Sequence, residues 1–374
     1  MPSNDIEITE VHSRRELDDF IRIPFSLYRN NPFFSPELIY ETRKRLSANN
    51  PFFRHAKAWH FTAWKEGKPA GRISAVINHL HNEFHNEKTG FFGFFESADD
   101  FTVAASLLEK AAGILRNEGM EVMRGPASFS TNEECGMLID GFQTPPFLMM
   151  PYNPSFYSMF MERFGMKKAK DLFAYICDVP DELPGKVRRA ADIARKKGIL
   201  TRPIRLREFD QEMELFRNIY NSAWSRNWGF VPLTAEETKT AAKSMKSIVI
   251  PELTLIAENK GEPVGFLGLL PDFNFVLRKM KGRINPAAIL KAVYYSRKIN
   301  ALRLLLLGIR PEYRNRGVDA LMIREAFRGI RDKHPRFKQI EFSWILEDNF
   351  LIQKLIEVVG GKHYKTYRIY EKKL

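Results

Sequence analysis

The segment Leu302–Ile330 carries the residues whose types and spacing have the clearest chemical meaning. An apolar run leads into a loop, Arg314–Gly317, which is followed by apolar residues at helical spacing. The start of a helix offers free backbone N–H groups and the positive end of the helix dipole, and a glycine lets a ligand approach the main chain closely. The two arginines of the loop add charge-assisted hydrogen bonds to phosphate oxygens. This segment therefore predicts a binding loop for a pyrophosphate group.

The elements that position this loop occur twice along the chain. The turns GKPAG at Gly67 and GEPVG at Gly261 are 194 residues apart, and Tyr175 and Tyr370 lie in two similar strands at an offset of 195. Each copy shows the pattern of a helix, a strand hairpin, a strand, a helix, a strand, a helix and a last strand. That order predicts an α/β fold in which helices cover a mixed sheet. The chain is therefore expected to be a tandem repeat.

Each copy carries one insertion, at a different place. Residues 272–300 of the second copy are basic and aromatic. They are a candidate lid over the ligand, a surface for an anionic acceptor or an amphipathic membrane-facing helix, beside the simpler interpretation of a solvated helix. The long loop of the first copy, around Glu134 and Cys135, is a candidate wall of an acceptor pocket, and a buried thiol is the favoured interpretation of Cys135.

The loop at Arg314 resembles that of the GNAT superfamily of acyl-CoA-dependent N-acyltransferases. The family pattern is Gln or Arg, two residues, Gly, one residue, and then Gly or Ala. Arg314, Gly317 and Asp319 occupy these places, with Asp319 as a departure from the pattern. The strand KQIEFSWIL and the following Asn349 also match the order of the family's motifs. The resemblance covers residues 202–374 and extends through the repeat to the first copy.

The resemblance implies two tandem GNAT-like folds, each with a mixed central sheet flanked by helices. Residues 202–374 are the domain with the acyl-CoA-binding loop, and residues 1–178 are a degenerate domain without a pyrophosphate loop. Residues 179–201 are interpreted as a linker helix with a solvated surface. The segment that replaces the loop in the first copy is acidic and would repel a pyrophosphate; its carboxylates are Glu96, Asp99 and Asp100. One cofactor site is therefore expected, and the first copy is expected to be a scaffold or an acceptor-binding partner.

The resemblance also implies which residues bind acetyl-CoA or another acyl-CoA as co-substrate. In the family, backbone N–H groups of the strand before the loop bind the acyl carbonyl, and the loop binds the pyrophosphate. The corresponding residues here are Gly308, Ile309, Arg310, Arg314, Asn315, Arg316, Gly317, Val318, Asp319 and Asn349.

Acyl transfer to an amine also requires a base for the amine and an acid for the departing thiolate. The family often uses a Tyr seven residues after the Asn of its third motif, but Ile356 stands at that place, so Tyr364 and Tyr313 are the substitutes. Glu341 and Glu347 are the candidate bases. For Glu347 the alternative is that it caps the following helix.

Composition limits the remaining choices. The 374 residues include 58 Lys and Arg against 45 Asp and Glu, and this net charge of +13 favours anionic partners. Two cysteines do not make a disulfide scaffold, and the longest apolar run is far shorter than a membrane span, so a cytoplasmic chain without a transmembrane segment is expected. No metal site is expected, because His79, His81 and His85, two of them on one strand face, lack a completing carboxylate or cysteine.

The sequence thus predicts an acyl-CoA-dependent N-acyltransferase, with acetyl as the first choice of acyl group and an amine held between the two domains as acceptor. The acceptor is expected to be a small molecule or a peptide, DNA is not an expected partner, and the chain is expected to be a monomer or a homodimer. Two alternatives stay open. One is a FemX-like transferase that takes an aminoacyl group from aminoacyl-tRNA, and the other is a non-catalytic CoA-binding or interaction protein.

Overall fold

A computed structural model of the chain describes residues 6–374, which form two compact units. Unit 1 contains residues 6–172, Asn274–Tyr295 and Lys365–Leu374, and unit 2 contains Phe173–Phe273 and Ser296–Tyr364. These units differ from the predicted domains. The insertion of the second copy and the C-terminal segment belong to unit 1, whereas the predicted linker belongs to unit 2.

The elements of the first copy are, in chain order, β1 (Ile6–Glu10), α1 (Arg14–Leu27), α2 (Ile39–Arg45), β2 (Ala56–Lys65), β3 (Lys68–Asn78), α3 (His79–His85), β4 (Thr89–Ser97), α4 (Phe101–Asn117), β5 (Val122–Gly125), β6 (Met137–Asp140), α5 (Phe156–Arg163) and β7 (Lys167–Asp178). A further helix, α6 (Gly185–Lys196), follows before the second copy begins.

The elements of the second copy are β8 (Ile199–Pro203), α7 (Phe209–Ala223), α8 (Ala235–Met245), β9 (Thr254–Asn259), β10 (Glu262–Pro271), α9 (Asn274–Met280), α10 (Pro286–Ser296), β11 (Ala301–Ile309), α11 (Val318–Lys333), β12 (Gln339–Leu346), α12 (Phe350–Val358) and β13 (Lys362–Lys373). Both copies repeat a strand, two helices, a hairpin, a strand, a helix, a strand, a helix and a strand. The predicted α/β tandem repeat is confirmed, with insertions α9–α10 in the second copy and the β5–α5 region in the first.

The strands of each unit pair in a similar order. In unit 1, β1, β2, β3 and β4 form an antiparallel meander, β4 pairs with β5 in parallel, and the C-terminal strand β13 pairs antiparallel with β5 and β6. In unit 2, β8, β9, β10 and β11 form the antiparallel meander, and β11 pairs with β12 in parallel. The two strands of the parallel pair separate after a few residues, and this separation shapes the candidate site.

The buried face of α4 shows how the helical pattern builds the core of unit 1. Leu107, Leu108, Ala111 and Leu115 recur at helical spacing and are all fully buried. They pack in one cluster with apolar residues of the sheet, among them Phe92. The helix begins at Asp100, whose carboxylate accepts the Thr102 N–H. An acidic cap therefore occupies the helix start at which the second copy has its arginine loop.

The insertion of the second copy packs within unit 1. The Asn274 side chain donates hydrogen bonds to the carbonyls of Pro146 and Phe147, at 3.0 and 2.7 Å. The carbonyl of Gly282 accepts the Ile39 N–H at 3.0 Å. The insertion is therefore part of the packed structure of unit 1. Helix α9 is packed in this unit, whereas α10 exposes apolar side chains such as Leu290.

The predicted linker is not a separate solvated element. Helix α6 buries Val187, Ala191 and Ala194, and its Asp192 pairs with Arg324 of α11 at 2.6 Å. Residues 199–203 form strand β8, which pairs with β9. The polar face of α6 predicted a linker, but three small or apolar residues on its other face pack it against unit 2.

The three histidines also differ from expectation, because they lie in helix α3 and not on a strand. The N–H of His81 is capped by the Asn78 side chain at 3.1 Å, so the asparagine starts a helix directly after β3. Within residues 6–374, no group of three or more His, Cys, Asp or Glu side chains is arranged to hold a metal ion. No helix in that part of the chain is long and apolar enough to cross a bilayer.

Candidate active site

The central feature of unit 2 is the separation of strands β11 and β12. Their parallel ladder joins Ala301–Leu304 to Gln339–Phe342. In the described chain the ladder ends there, although β11 continues to Ile309 and β12 to Leu346. Two strands that part in this way leave backbone groups and side chains of their inner edges available to a ligand. The open end of this pair leads directly into the arginine loop.

The backbone N–H groups of β11 beyond the parallel ladder alternate in direction. The Arg310 N–H donates to the carbonyl of Val264 on β10, at 2.9 Å. Because successive N–H groups of a strand alternate in direction, the neighbouring Ile309 N–H is directed away from β10. Gly308 lies under the ring of Trp224, and an added Cβ would stand 2.2 Å from two ring carbons. Of the three predicted carbonyl-binding positions, Arg310 is thus engaged by the sheet.

Two residues of the loop after β11 have a left-handed backbone conformation. Asn315 and Gly317 both have positive φ, 57° and 78°, and Gly317 is the N-cap of α11. Helix α6 lies close behind the glycine, because an added Cβ would stand 2.3 Å from the Ala190 carbonyl oxygen. Only glycine combines this φ with so close a neighbour. One side of the loop is therefore covered by α6.

The two arginines of the loop have different surroundings. Arg314 donates to the carbonyl of Ala223 at the end of α7, at 2.5 Å, and so ties the loop to that helix. Arg316 is exposed, and its guanidinium lies 5.1 Å from the centre of the Tyr313 ring. Arg316 is thus the loop arginine that a phosphate group in solvent reaches without breaking a hydrogen bond to another helix.

The first turn of α11 contains the residue that departs from the family pattern. The Asp319 carboxylate accepts the Ala320 N–H at 2.9 Å. Val318 between the glycine and the aspartate is buried and packs inward. Asp319 therefore caps its own helix and occupies one of the N–H groups that a pyrophosphate would use.

Two of the predicted catalytic residues come together beside β11. Glu341 is fully buried and lies opposite Arg303 in the parallel ladder. Burial raises the pKa of Glu341 to about 7, although Arg303, Ser343 and the Tyr364 hydroxyl oppose the rise. Glu341 and Tyr364 therefore form one polar cluster at the base of the strand opening.

Arg303 was not predicted as a site residue, although its place in the sequence indicates a buried polar role. It is 3% exposed, and its guanidinium donates to the Ser343 hydroxyl at 2.8 Å and to the Ser343 carbonyl at 3.1 Å. A single arginine inside the apolar run LRLLLL requires a buried partner, because an unpaired charge is too costly in a core. Asp272 also acts on Glu341 and raises its pKa.

The remaining predicted residues lie at the end of β12. The Asn349 side chain accepts the Ile352 N–H at 3.4 Å and caps α12. The carbonyl of Glu347 accepts a hydrogen bond from the Gln353 side chain at 3.0 Å. The helix cap is therefore Asn349, the residue expected at the cofactor, and Glu347 supports the same helix through its main chain.

The corresponding strands of unit 1 also separate. The parallel ladder joins Thr89–Phe91 to Val122–Arg124, while β4 continues to Ser97. Beyond the ladder lies a cavity of about 200 Å³, which is lined in part by Arg72, Glu96 and Glu134. The sequence predicts a scaffold or acceptor-binding role for this copy but gives no sign of buried arginines there.

Comparison with known proteins shows which proteins the chain is similar to. No family model matches the sequence. The chain is 34% identical over 367 residues to Protein YghO of Escherichia coli (strain K12), covering 97% of this chain and 94% of that protein. It is 33% identical over 376 residues to the Bacterial ceramide synthase of Caulobacter vibrioides (strain NA1000 / CB15N), covering 99% and 98%.

Solved structures show the same architecture at low identity. A tandem GNAT protein from the clavulanic acid biosynthesis pathway superposes with a TM-score of 0.60 at 10% identity, over 99% of this chain and 98% of that one. A GCN5-related N-acetyltransferase from Sphaerobacter thermophilus gives 0.52 at 12% identity, over 100% and 96%. The chain therefore belongs to the family of Protein YghO and the bacterial ceramide synthase, and its fold is the tandem GNAT fold predicted from the Arg314 loop.

Proposed function

We propose that the chain is an N-acyltransferase that moves an acyl group from acyl-CoA to an amine. The observation that carries this proposal is the arrangement in unit 2, where the opening between β11 and β12 leads straight into the Arg314–Gly317 loop and the start of α11. The opening offers a place for a thioester, and the loop offers a positive helix terminus for a pyrophosphate. Acyl-CoA would supply the acyl group as a thioester.

The residues of the loop divide the work of holding acyl-CoA. Arg316 would pair with phosphate oxygens, because it is exposed and free to turn from its contact with the Tyr313 ring. Arg314 would act as a positioning residue, because its guanidinium is bound to the Ala223 carbonyl. The Ile309 N–H, which is directed away from β10, would donate to the acyl carbonyl and so favour attack on it.

The polar cluster at Glu341 would handle the proton of the amine. A carboxylate whose pKa is about 7 accepts and releases a proton near neutral pH, as a general base requires. Tyr364 interacts with this carboxylate and is the candidate acid for the departing sulfur. Glu347 is the second candidate base.

The family membership bears on both substrates. Synthesis of a ceramide joins a fatty acyl group to an amine, and the relative with that name spans almost the whole chain. We therefore extend the proposed donors from acetyl-CoA to fatty acyl-CoA, with an amine that carries an alkyl chain as acceptor. This choice keeps the reaction class that the sequence predicted and changes the first acyl group to be tested.

The experiment that tests the proposal is calorimetric titration with CoA, acetyl-CoA and palmitoyl-CoA. We expect the native chain to bind an acyl-CoA and an Arg316→Ala variant to bind it at least tenfold more weakly. Arg328→Ala is the matched control, because this exposed arginine of α11 pairs only locally, with Glu325 at 2.9 Å. Binding that survives in Arg316→Ala, or fails in the native chain for all three ligands, contradicts the proposed site.

A second measurement separates a transferase from a CoA-binding protein. Release of free thiol from the bound acyl-CoA is followed with a panel of alkylamines, in the native chain and in Glu341→Gln. We expect thiol release that depends on the amine and falls at least a hundredfold in Glu341→Gln. An acyl-CoA that binds but is never consumed would support the non-catalytic alternative, and consumption of aminoacyl-tRNA instead would support the FemX-like one.

A further inference from the structure

The cavity of about 200 Å³ lies in unit 1, the copy without a pyrophosphate loop. It occupies the place where β4 runs on beyond its pairing with β5, which corresponds to the proposed thioester site in the other copy. About half of its wall is apolar, formed by residues such as Phe25, Phe34 and Met150. A cavity of this size holds about seven non-hydrogen atoms, since a water molecule takes roughly 30 Å³ in the liquid.

Both insertions contribute to closing this cavity. Pro146 and Met150, from the extra loop of the first copy, lie in its wall beside Asn274 and Leu277 of α9. The Asn274 side chain holds the two walls together through its hydrogen bonds to the Pro146 and Phe147 carbonyls. Two unrelated additions to the repeat therefore meet at one pocket.

The polar side of the cavity contains three carboxylates and two guanidinium groups. Arg45 pairs with Glu37 at 2.7 Å. Arg72, which is 8% exposed, lies 3.8 Å from Glu96. Glu96 also accepts hydrogen bonds from the hydroxyls of two buried tyrosines, Tyr28 at 2.6 Å and Tyr157 at 3.0 Å. Each arginine thus has a carboxylate partner in the wall, and Arg45 also pairs with Glu133 at 3.6 Å.

Glu134 is the third carboxylate, and it has no ion pair with any residue among 6–374. Burial raises its pKa to about 7, and the nearby Glu37 and Glu96 add to the rise, while Arg45 and Arg72 oppose it. The cavity thus lacks one positive charge. A ligand with a single positive charge would balance the cluster.

Two further features point to a ligand. The Nε atoms of Arg45 and Arg72 are buried and have no hydrogen-bond partner in the part of the chain that the structure describes. A ligand oxygen would satisfy such donors. In addition, Phe94 and Met149 line the cavity with positive φ, 49° and 60°, a conformation that costs energy for these residues and is frequent at functional sites.

We propose that this cavity is a separate binding site for a small primary amine, with the ammonium group on Glu134, a neighbouring oxygen at the guanidinium Nε atoms of Arg45 and Arg72, and the alkyl chain along the apolar part of the wall. The inference goes beyond the proposed function, because the acyl-transfer site lies in unit 2 and this cavity lies in unit 1. The binding site itself rests only on unit 1. Its ligand class is a primary amine with an adjacent hydroxyl group and an alkyl chain.

The test is calorimetric titration with 2-amino-1-pentanol in the absence of any acyl-CoA. This probe has a primary amine, an adjacent hydroxyl and a short chain, and its seven non-hydrogen atoms match the cavity. We expect Glu134→Gln to bind it at least tenfold more weakly, because an amide replaces the charge at nearly unchanged shape. Glu121→Gln is the matched control, since this carboxylate of unit 1 is 69% exposed and pairs with Lys88.

Two comparisons keep the proposal open to refutation if Glu134→Gln folds poorly. Leu277→Trp fills the cavity without changing its charge and is expected to abolish binding of the probe. Pentanoate has the same number of non-hydrogen atoms and the opposite charge, and it is expected to bind at least tenfold more weakly than the amine. Tighter binding of pentanoate would show that the arginines select an anion, and it would overturn the proposal.

Proton release provides a readout that a structural role for Glu134 would not change. At pH 6 we expect binding of the amine to release ~1 proton, because the ligand's charge ionises a carboxyl that is protonated in the free cavity. At pH 8 the release is expected to disappear, and Glu134→Gln should show none at either pH. Amine binding without acyl-CoA binding would contradict the proposed function alone, whereas acyl-CoA binding without amine binding would contradict this inference alone.

Discussion

At the scale of single residues, burial sets the proton affinity of several groups. His60 is packed against Phe20 at 5.4 Å between ring centres, and its Nδ1 lies 2.7 Å from the Ser74 hydroxyl. Burial lowers its pKa to about 4, and Arg72 adds to the effect. In the unfolded chain His60 has an ordinary histidine pKa near 6.5. The unfolded state therefore takes up a proton at this residue at a higher pH than the folded state does.

We expect this histidine to make unit 1 less stable in mild acid. Its contribution is constant above pH ~6.5 and falls by roughly 1.4 kcal/mol per pH unit below it, so about 2 kcal/mol is lost at pH 5. His60→Asn should lack that loss. Urea unfolding at pH 7.5 and pH 5 measures it, with the exposed His12→Asn as control. Equal acid sensitivity of the native chain and His60→Asn would contradict the assignment.

Asp319 is expected to weaken phosphate binding at the neighbouring loop. Its carboxylate takes the Ala320 N–H and adds a negative charge where the proposed pyrophosphate would bind. We expect Asp319→Ala to bind acyl-CoA more tightly, by roughly threefold to tenfold, while the helix loses a few tenths of a kcal/mol. Titration measures the affinity, and Asp332→Ala near the other end of α11 is the control. Weaker binding in Asp319→Ala would mean that the aspartate supports the loop.

At the scale of elements, helix α6 holds the loop from behind. Gly317→Ala would place a Cβ 2.3 Å from the Ala190 carbonyl, at a φ of 78°. We expect a loss of stability of about 2 kcal/mol or more and acyl-CoA binding weakened at least tenfold. Gly261→Ala is a matched control, because its φ is 82° and nothing lies within 4 Å of the added Cβ. Thermal unfolding and titration compare the two, and equal effects would exclude a role for the α6 contact.

The repeat explains why one copy keeps the loop and the other does not. In the second copy, Gly317 caps α11 without a side chain and leaves its first turn open on one side. In the first copy, Asp100 caps α4 and pairs with Lys65 at 2.6 Å. A carboxylate at that place repels phosphate. The first copy therefore has an acidic cap where the second has Gly317, and it also lacks the two loop arginines.

At the scale of the whole molecule, the C-terminal segment completes unit 1. The buried ammonium group of Lys365 donates to the carbonyls of Gly141 and Thr144, and Tyr367 and Tyr370 are also buried. The segment pairs with β5 and β6. Unit 1 is thus built from three separate parts of the chain, which join residues far apart in sequence.

We expect a chain that ends at Tyr364 to lose the fold of unit 1 first. Removal of residues 365–374 takes away a paired strand and leaves the Gly141 and Thr144 carbonyls without their ammonium partner. Hydrogen exchange should show β4 and β5 deprotected, with β9 and β10 still protected. The single variant Lys365→Met, which keeps the strand, should weaken the same amides less. Uniform protection in the truncated chain would contradict this account of unit 1.

Several features followed from sequence alone because they depend on neighbours in the chain. The alternation around GKPAG and GEPVG specifies hairpins, and helical spacing after Gly317 specifies α11. A repeat of such local patterns is enough to predict the tandem α/β fold and the place of the loop. The positions of both insertions followed for the same reason.

Tertiary structure decided which distant residues meet, and local patterns carry no information on that. The polar surface of α6 suggested a linker, but its small residues pack against unit 2. Asn349, which was expected at the cofactor, caps a helix. Arg303 and Glu341 are 38 residues apart in sequence and face each other in the parallel ladder. The cavity of unit 1 combines Arg45, Arg72 and Glu134 with α9, and only long-range packing could bring those charges to one place.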